Sequence, residues 1–236
     1  MYKLIIPIKI HKIKINLKIV FSGVFLVILL YFLFSFFYTQ YKYSLIKKLN
    51  PNVQISYFKK YLGEPVIINF SKNNQQKEYI FINKHFYTQA ITDKNDKVLG
   101  FFITLKDKNF NPQIKNQVFQ ITLGKSTLYD IAKNYQPEKC LGFLGNTARN
   151  YYLEEYYFGR VGKYLKYVFG YNDAGFYNEK NNLSFLIGKT KNNDNLCENL
   201  KNKNTKNIII NTYGVLMDNN LEFEYAVDKN TLDFDF

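Results

Sequence analysis

Residues 19–38, IVFSGVFLVILLYFLFSFFY, run for twenty positions without a charge. As a helix rising 1.5 Å per residue, that stretch spans about 30 Å, the thickness of a bilayer's hydrocarbon core. Fifteen of the twenty are Ile, Val, Leu or Phe, and their summed preference for insertion reaches about −5 kcal/mol. A buried core helix rarely runs this long without a polar face. A cleaved signal peptide needs a shorter apolar run followed by a small-residue site, and SFFYTQYKYS offers no A-x-A pattern. The stretch therefore reads as an uncleaved transmembrane helix.

The formal charge of +13 is concentrated at the same end. Ten lysines precede the first carboxylate, Glu64, leaving 22 cations against 19 anions in the other 173 residues. Nucleic-acid binding, which needs a basic globular surface, is set aside on that distribution. Lys3, Lys9, Lys12, Lys14 and Lys18 precede the apolar run, and Lys42, Lys47 and Lys48 follow it. The bias favours a basic cytoplasmic arm at 1–18, a transmembrane helix at 19–38, a juxtamembrane segment at 39–50 and an extracytoplasmic domain at 51–236. The expected location is the inner (plasma) membrane, crossed once.

Helix and strand signals then alternate along the chain. The helix continues over 41–49, and Asn50-Pro51 marks a new start, with Asn50 as N-cap and Pro51 at the first helical position. Val53, Tyr57, Phe58, Tyr61 and Leu62 keep helical spacing until Gly63 and Pro65 end it. VIINF (66–70), KEYIFIN (77–83), HFYTQAIT (85–92) and VLGFFITL (98–105) read as an antiparallel meander separated by SKNNQQ and DKNDK. FQITL (119–123) predicts a strand and 127–135 a short helix. The pattern predicts helix over part of 150–170, strands at 184–188, 207–215 and 221–227, and a solvated loop at 189–207. The fold class is α+β: an N-terminal transmembrane helix, then a mostly antiparallel sheet with a few short helices.

Most motif-like stretches have ordinary explanations. LGKST (123–127) resembles the end of a phosphate-binding loop, but Phe119 stands where the first glycine is required. A capping turn fits better, with Thr127 opening a helix and Asp130 three residues on. DKNDK has Lys97 where a calcium ligand is needed and reads as a hairpin turn. His85 is the sole histidine outside the arm, so neither a zinc site nor a Ser-His-Asp or Cys-His device has support. No metal and no cofactor is expected. Cys140 and Cys197 are the only cysteines; outside the cell they suggest one disulfide, with two free buried thiols as the alternative.

The chemistry-rich stretch is YYLEEYYFGRVGKYLKYVFGYNDAG (151–175). Read as starting in a helix, it puts Tyr152, Glu155 and Tyr156 on one face and Tyr151, Glu154 and Phe158 on another. Glu154, Glu155 and Asp173 are candidate acid–base carboxylates for glycan hydrolysis. Tyr156, Tyr157, Tyr164, Tyr167, Asn172 and Asp173 are the candidate ligand-binding set. The competing reading places the rings in the core, with their hydroxyls bonded to the carboxylates, and this reading is preferred.

The run E-x-YYFG-x-x-G-x-Y-x-x-Y-x-x-G-x-NDAG, with LGEP (62–65), QAITD (89–93) and LGKST in that order, resembles an uncharacterised family of bacterial single-pass membrane-anchored proteins over residues 55–215. That resemblance implies an anchor and a domain without a catalytic assignment. A looser likeness to small outer-membrane assembly lipoproteins rests on the helix, LG-x-P turn and meander, but this chain lacks their lipid-attachment cysteine. The favoured function is a bitopic protein that contacts the lipid bilayer and whose external domain binds a protein or envelope component. The alternative is a membrane-tethered glycan hydrolase using Glu154, Glu155 or Asp173.

Overall fold

The computed structural model describes residues 17–144, 150–159, 165–176, 178, 180, 181, 183, 184, 197, 204–217 and 221–223. The expected strand at 184–188 falls outside them except Ser184. The strand at 221–227 and the loop at 189–207 are only partly covered, and the arm 1–18 lies almost wholly outside. The chain divides into two compact units, Met1–Lys42 and Tyr43–Phe236.

Helix α1, Leu17–Lys48, contains the apolar run. In its portion from Ser22 onward, an 18-residue window has a mean hydropathy of 2.0, and among the described residues nothing buries that window. By length and composition this helix can cross a membrane. The second unit begins within its last turns, where Leu45, Ile46 and the following Leu49 are buried among domain residues.

Helix α2, Ile55–Leu62, starts later than Asn50-Pro51 suggested. The Asn50 amide instead donates to the Lys48 carbonyl at 3.0 Å, serving the end of α1. Residues 52–55 are tied by backbone bonds to the turn at 96–98: Asn52 N–H to Val98 O, Val98 N–H to Val53 O, and Ile55 N–H to Asp96 O, each 2.8 Å. These tertiary bonds satisfy donors a local cap would otherwise serve. Gly63, at φ 86°, ends the helix with its N–H on Lys59 O.

Four strands follow in a meander: β1 (Ile67–Phe70), β2 (Gln76–Ile82), β3 (Phe86–Asp93) and β4 (Val98–Leu105). The DKNDK turn joins β3 and β4, with the Asp93 carboxylate accepting from the N–H groups of Asn95 and Lys97. A small hairpin, β5 (Gln113–Lys115) and β6 (Gln120–Thr122), and the one-turn helix α3 (Tyr129–Ala132) come next. The Asp130 carboxylate accepts from the Thr127 N–H at 2.8 Å, the reciprocal half of the expected capping box. The helix is shorter than the expected 127–135.

A second meander contains β7 (Lys139–Leu144), β8 (Asn150–Tyr157), β9 (Lys166–Asn172) and β10 (Thr212–Leu216). The two meanders merge into one eight-stranded sheet, ordered β1-β2-β3-β4-β10-β9-β8-β7, with every neighbouring pair antiparallel. Helix-then-four-strands thus occurs twice, and the fourth strand of each half meets the other at the centre. The Thr104 and Thr212 hydroxyls lie 3.1 Å apart across that seam. The Leu-Gly steps of LGEP and LGKST are not equivalent positions, since Gly63 ends a helix and Gly124 precedes one, so the repetition is one of topology.

Strands replace the helix expected in 150–170. The residues alternate by two: Tyr152, Glu154 and Tyr156 face one side of β8, and Tyr151, Leu153, Glu155 and Tyr157 the other. Aromatic side chains favour that pleated surface, and Glu154 now shares a face with Tyr152 and Tyr156 where the helical reading had placed Glu155. One face packs Tyr79, Phe101, Tyr152, Tyr156, Phe169 and Tyr213 together with Ile55 and Phe58 of α2 and with Ile114 and Ile121 of the hairpin. The other packs Ile91, Phe102, Leu153, Val168 and Leu216. At Gly214 a Cβ would stand 2.7 Å from Cε1 of Phe102, so only glycine lets that ring lie across the strand.

Candidate functional site

Cys140 on β7 is bonded to Cys197, with Cα atoms 5.1 Å apart. Across the register from Cys140 lies Glu154, nearly inaccessible at 5 % exposure. Its carboxylate accepts from the Tyr152 hydroxyl at 2.9 Å and from the Tyr156 hydroxyl. Burial pushes the Glu154 carboxyl up, and the two phenol donors only partly oppose it. Burial likewise pushes both phenols up, with the Glu154 charge adding to it. Tyr156 is fully buried, with ring centroids 5.9 Å from Phe169 and 6.0 Å from Phe158.

Glu155 faces the opposite side of the sheet and is 2 % exposed. Lys166 reaches it at 2.6 Å and Glu138 at 2.9 Å. Burial disfavours the Lys166 charge, but these two carboxylates outweigh it and hold the ammonium above its usual range. Asp173 lies at the far end of the β8–β9 pair. Its carboxylate accepts from the Asn150 N–H at 2.9 Å and the Asn150 amide at 2.6 Å. Asn150 is four residues along the strand from Glu154, about 13 Å in extended chain. Retaining and inverting hydrolysis place their carboxyls about 5–9.5 Å apart on one cleft. The fold does not bring these three carboxylates together in that way.

Asn172 is fully buried, with its N–H on Asn211 Oδ1 at 2.8 Å and its own Oδ1 accepting from Ala174 N–H at 3.0 Å. Tyr157 is half-buried opposite Lys166. Tyr164 lies outside the described residues. Among the described residues, no group of His, Cys, Asp and Glu is arranged to hold a metal. His85 Nδ1 lies 2.9 Å from the Asp107 carboxylate, and its ring stacks on Phe110 at 4.8 Å.

Tyr167 is different: it opens onto a groove. Two contiguous lobes, about 250 and 350 Å³, share Asn50, Asn116, Leu165 and Tyr167. Buried Ile46, Leu49, Ile114, Tyr213 and Val215 form the floor of the first lobe. Phe119, Phe158 and Tyr167 form an aromatic wall, with centroids 5.2–5.4 Å apart. The hairpin tip beside it is held by Asn116, whose Oδ1 accepts from the Val118 and Phe119 N–H groups at 2.7 and 2.8 Å. Exposed Lys47 and Lys115 stand on the rim. Among the described lining residues there is no carboxylate.

Except for Tyr167, sequence reasoning singled out no residue of this groove as a binding candidate. Its members come from 46–51, 114–119, 158, 165–167 and 213–215, and no local motif joins them.

No protein-family model, no curated protein and no solved structure matches the chain.

Proposed function

We propose that this chain is a bitopic protein of the inner membrane with a cytoplasmic N-terminus, and that its external domain is a binding module for an envelope component or protein partner. The observation that carries the binding role is the groove. It is concave, walled by apolar and aromatic side chains with a few polar groups at its mouth, as ligand sites generally are. The buried carboxylates Glu154 and Glu155 are instead engaged with Tyr152, Tyr156 and Lys166, and neither lines it. The lysine bias supports the orientation, and the Cys140–Cys197 bond supports an oxidising compartment.

Site-specific photo-crosslinking in intact membranes tests the reading. A photoreactive residue at Gln117, on the groove mouth, should capture a discrete envelope component. The same residue at Lys72, in the β1–β2 turn, should not. Equal labelling at both positions, or none at Gln117, would count against the groove as the binding surface.

A further inference from the structure

The groove's chemistry narrows what it can hold, provided that the binding-module reading stands. Its walls are rings and aliphatic side chains: Phe119, Phe158, Leu165 and Tyr167. Part of its amide capacity is already in use, since Asn116 Oδ1 accepts two hairpin N–H groups and the Asn50 amide donates to Lys48 O, while Gln117 adds a third amide at the mouth. A hydroxyl-rich glycan has many more polar groups than these can satisfy. Recognition there rests mainly on apolar surface and two cations. Lys47 and Lys115 have no ion pair among the described residues, and no carboxylate lines either lobe. Taken together, the two lobes fall within the usual size range of small-molecule sites, about 300–1,000 Å³.

The position in the chain supplies the source of such a ligand. Lys47 follows Tyr38, the last residue of the apolar stretch 19–38, by nine residues of the same helix. The rim cation is therefore tethered close to a span of lipid. We infer that the groove takes an acyl chain of an anionic phospholipid from the bilayer that α1 crosses, with the lipid phosphate against Lys47 and Lys115. Apolar burial of the chain gives affinity, and the two ammonium groups select for the negative headgroup.

The test uses the full chain in nanodiscs of mixed zwitterionic and anionic lipid. A phosphatidylglycerol carrying a diazirine at its acyl terminus is the probe, and phosphatidylcholine with the same acyl chain is the control. Irradiation followed by peptide mapping should place adducts on 117–119 and 165–167 with the anionic probe, in roughly tenfold excess over the control. The double variant Lys47→Gln/Lys115→Gln should remove that excess. Leu165→Glu should abolish the adducts from both probes. Lys47 and Lys115 are exposed and Leu165 is only partly buried at the edge of the core, and melting curves check that the variants are folded. Equal labelling by the two probes, or no adduct at these segments, overturns the inference. If Gln117 captures a protein while neither lipid probe labels the groove, the lipid assignment falls and the binding module survives. If neither experiment labels the groove, both fall.

Discussion

The Tyr156 hydroxyl donates to the carboxylate of Glu154, two residues earlier on the same face of β8. Tyr152 donates to the same carboxylate from the other side, so the acid is enclosed by its own strand neighbours, next to the disulfide. Both of these partners are phenols, and burial raises its proton affinity above that of an unfolded carboxyl.

A pH dependence follows. A group whose folded pKa exceeds its unfolded value favours the folded state fully below the unfolded value, near 4.3. That contribution is lost as pH rises through the folded value, with a slope of at most about 1.4 kcal/mol per pH unit. Stability of the wild type relative to Glu154→Gln should therefore decline as pH rises from about 4. Melting temperatures of both proteins from pH 4 to 8 check this. Parallel curves would show that Glu154 titrates alike in both states.

Tyr156 is a core ring as well as a donor. Tyr156→Ala should cost about 3–5 kcal/mol, and Tyr156→Phe about 1–3 kcal/mol, because the latter removes only the hydroxyl facing a buried carboxylate. Denaturant titration separates the two, and equal losses would contradict the division of roles.

Much of this was legible from composition and turns. The β2, β3 and β4 runs are rich in β-branched and aromatic residues between polar turns, and the structure places each within a residue or two of where they fall. Strand β8 was not legible as a strand, because Glu154 and Glu155 with flanking tyrosines fit helical spacing equally well locally. Only pairing with β7 and β9 decides it. Strands β5 and β7 are too short or too glycine-broken to signal themselves. The groove could not be read at all, since its floor and walls meet only after the sheet and hairpin assemble. Cys140 and Cys197, by contrast, needed no pattern beyond being the only two.

That disulfide links residues separated by 57 positions. In the chain-entropy model, closing such a loop contributes about 4 kcal/mol. Protein isolated without reductant should resist alkylation until denatured and reduced. Cys140→Ser/Cys197→Ser should melt at a lower temperature while keeping its strand content. Ready alkylation of both thiols in the non-reduced, denatured protein would rule out the bond.

The central claim is that the sheet domain works on the outer side of the membrane that α1 crosses. The most direct measurement is a pair of full-chain fusions in a bacterial host, alkaline phosphatase or a cytoplasm-dependent fluorescent reporter after Phe236. The account predicts an active phosphatase and a dark fluorescent fusion, both in the membrane fraction. An inactive phosphatase beside a bright fluorescent fusion would put the domain inside and contradict it.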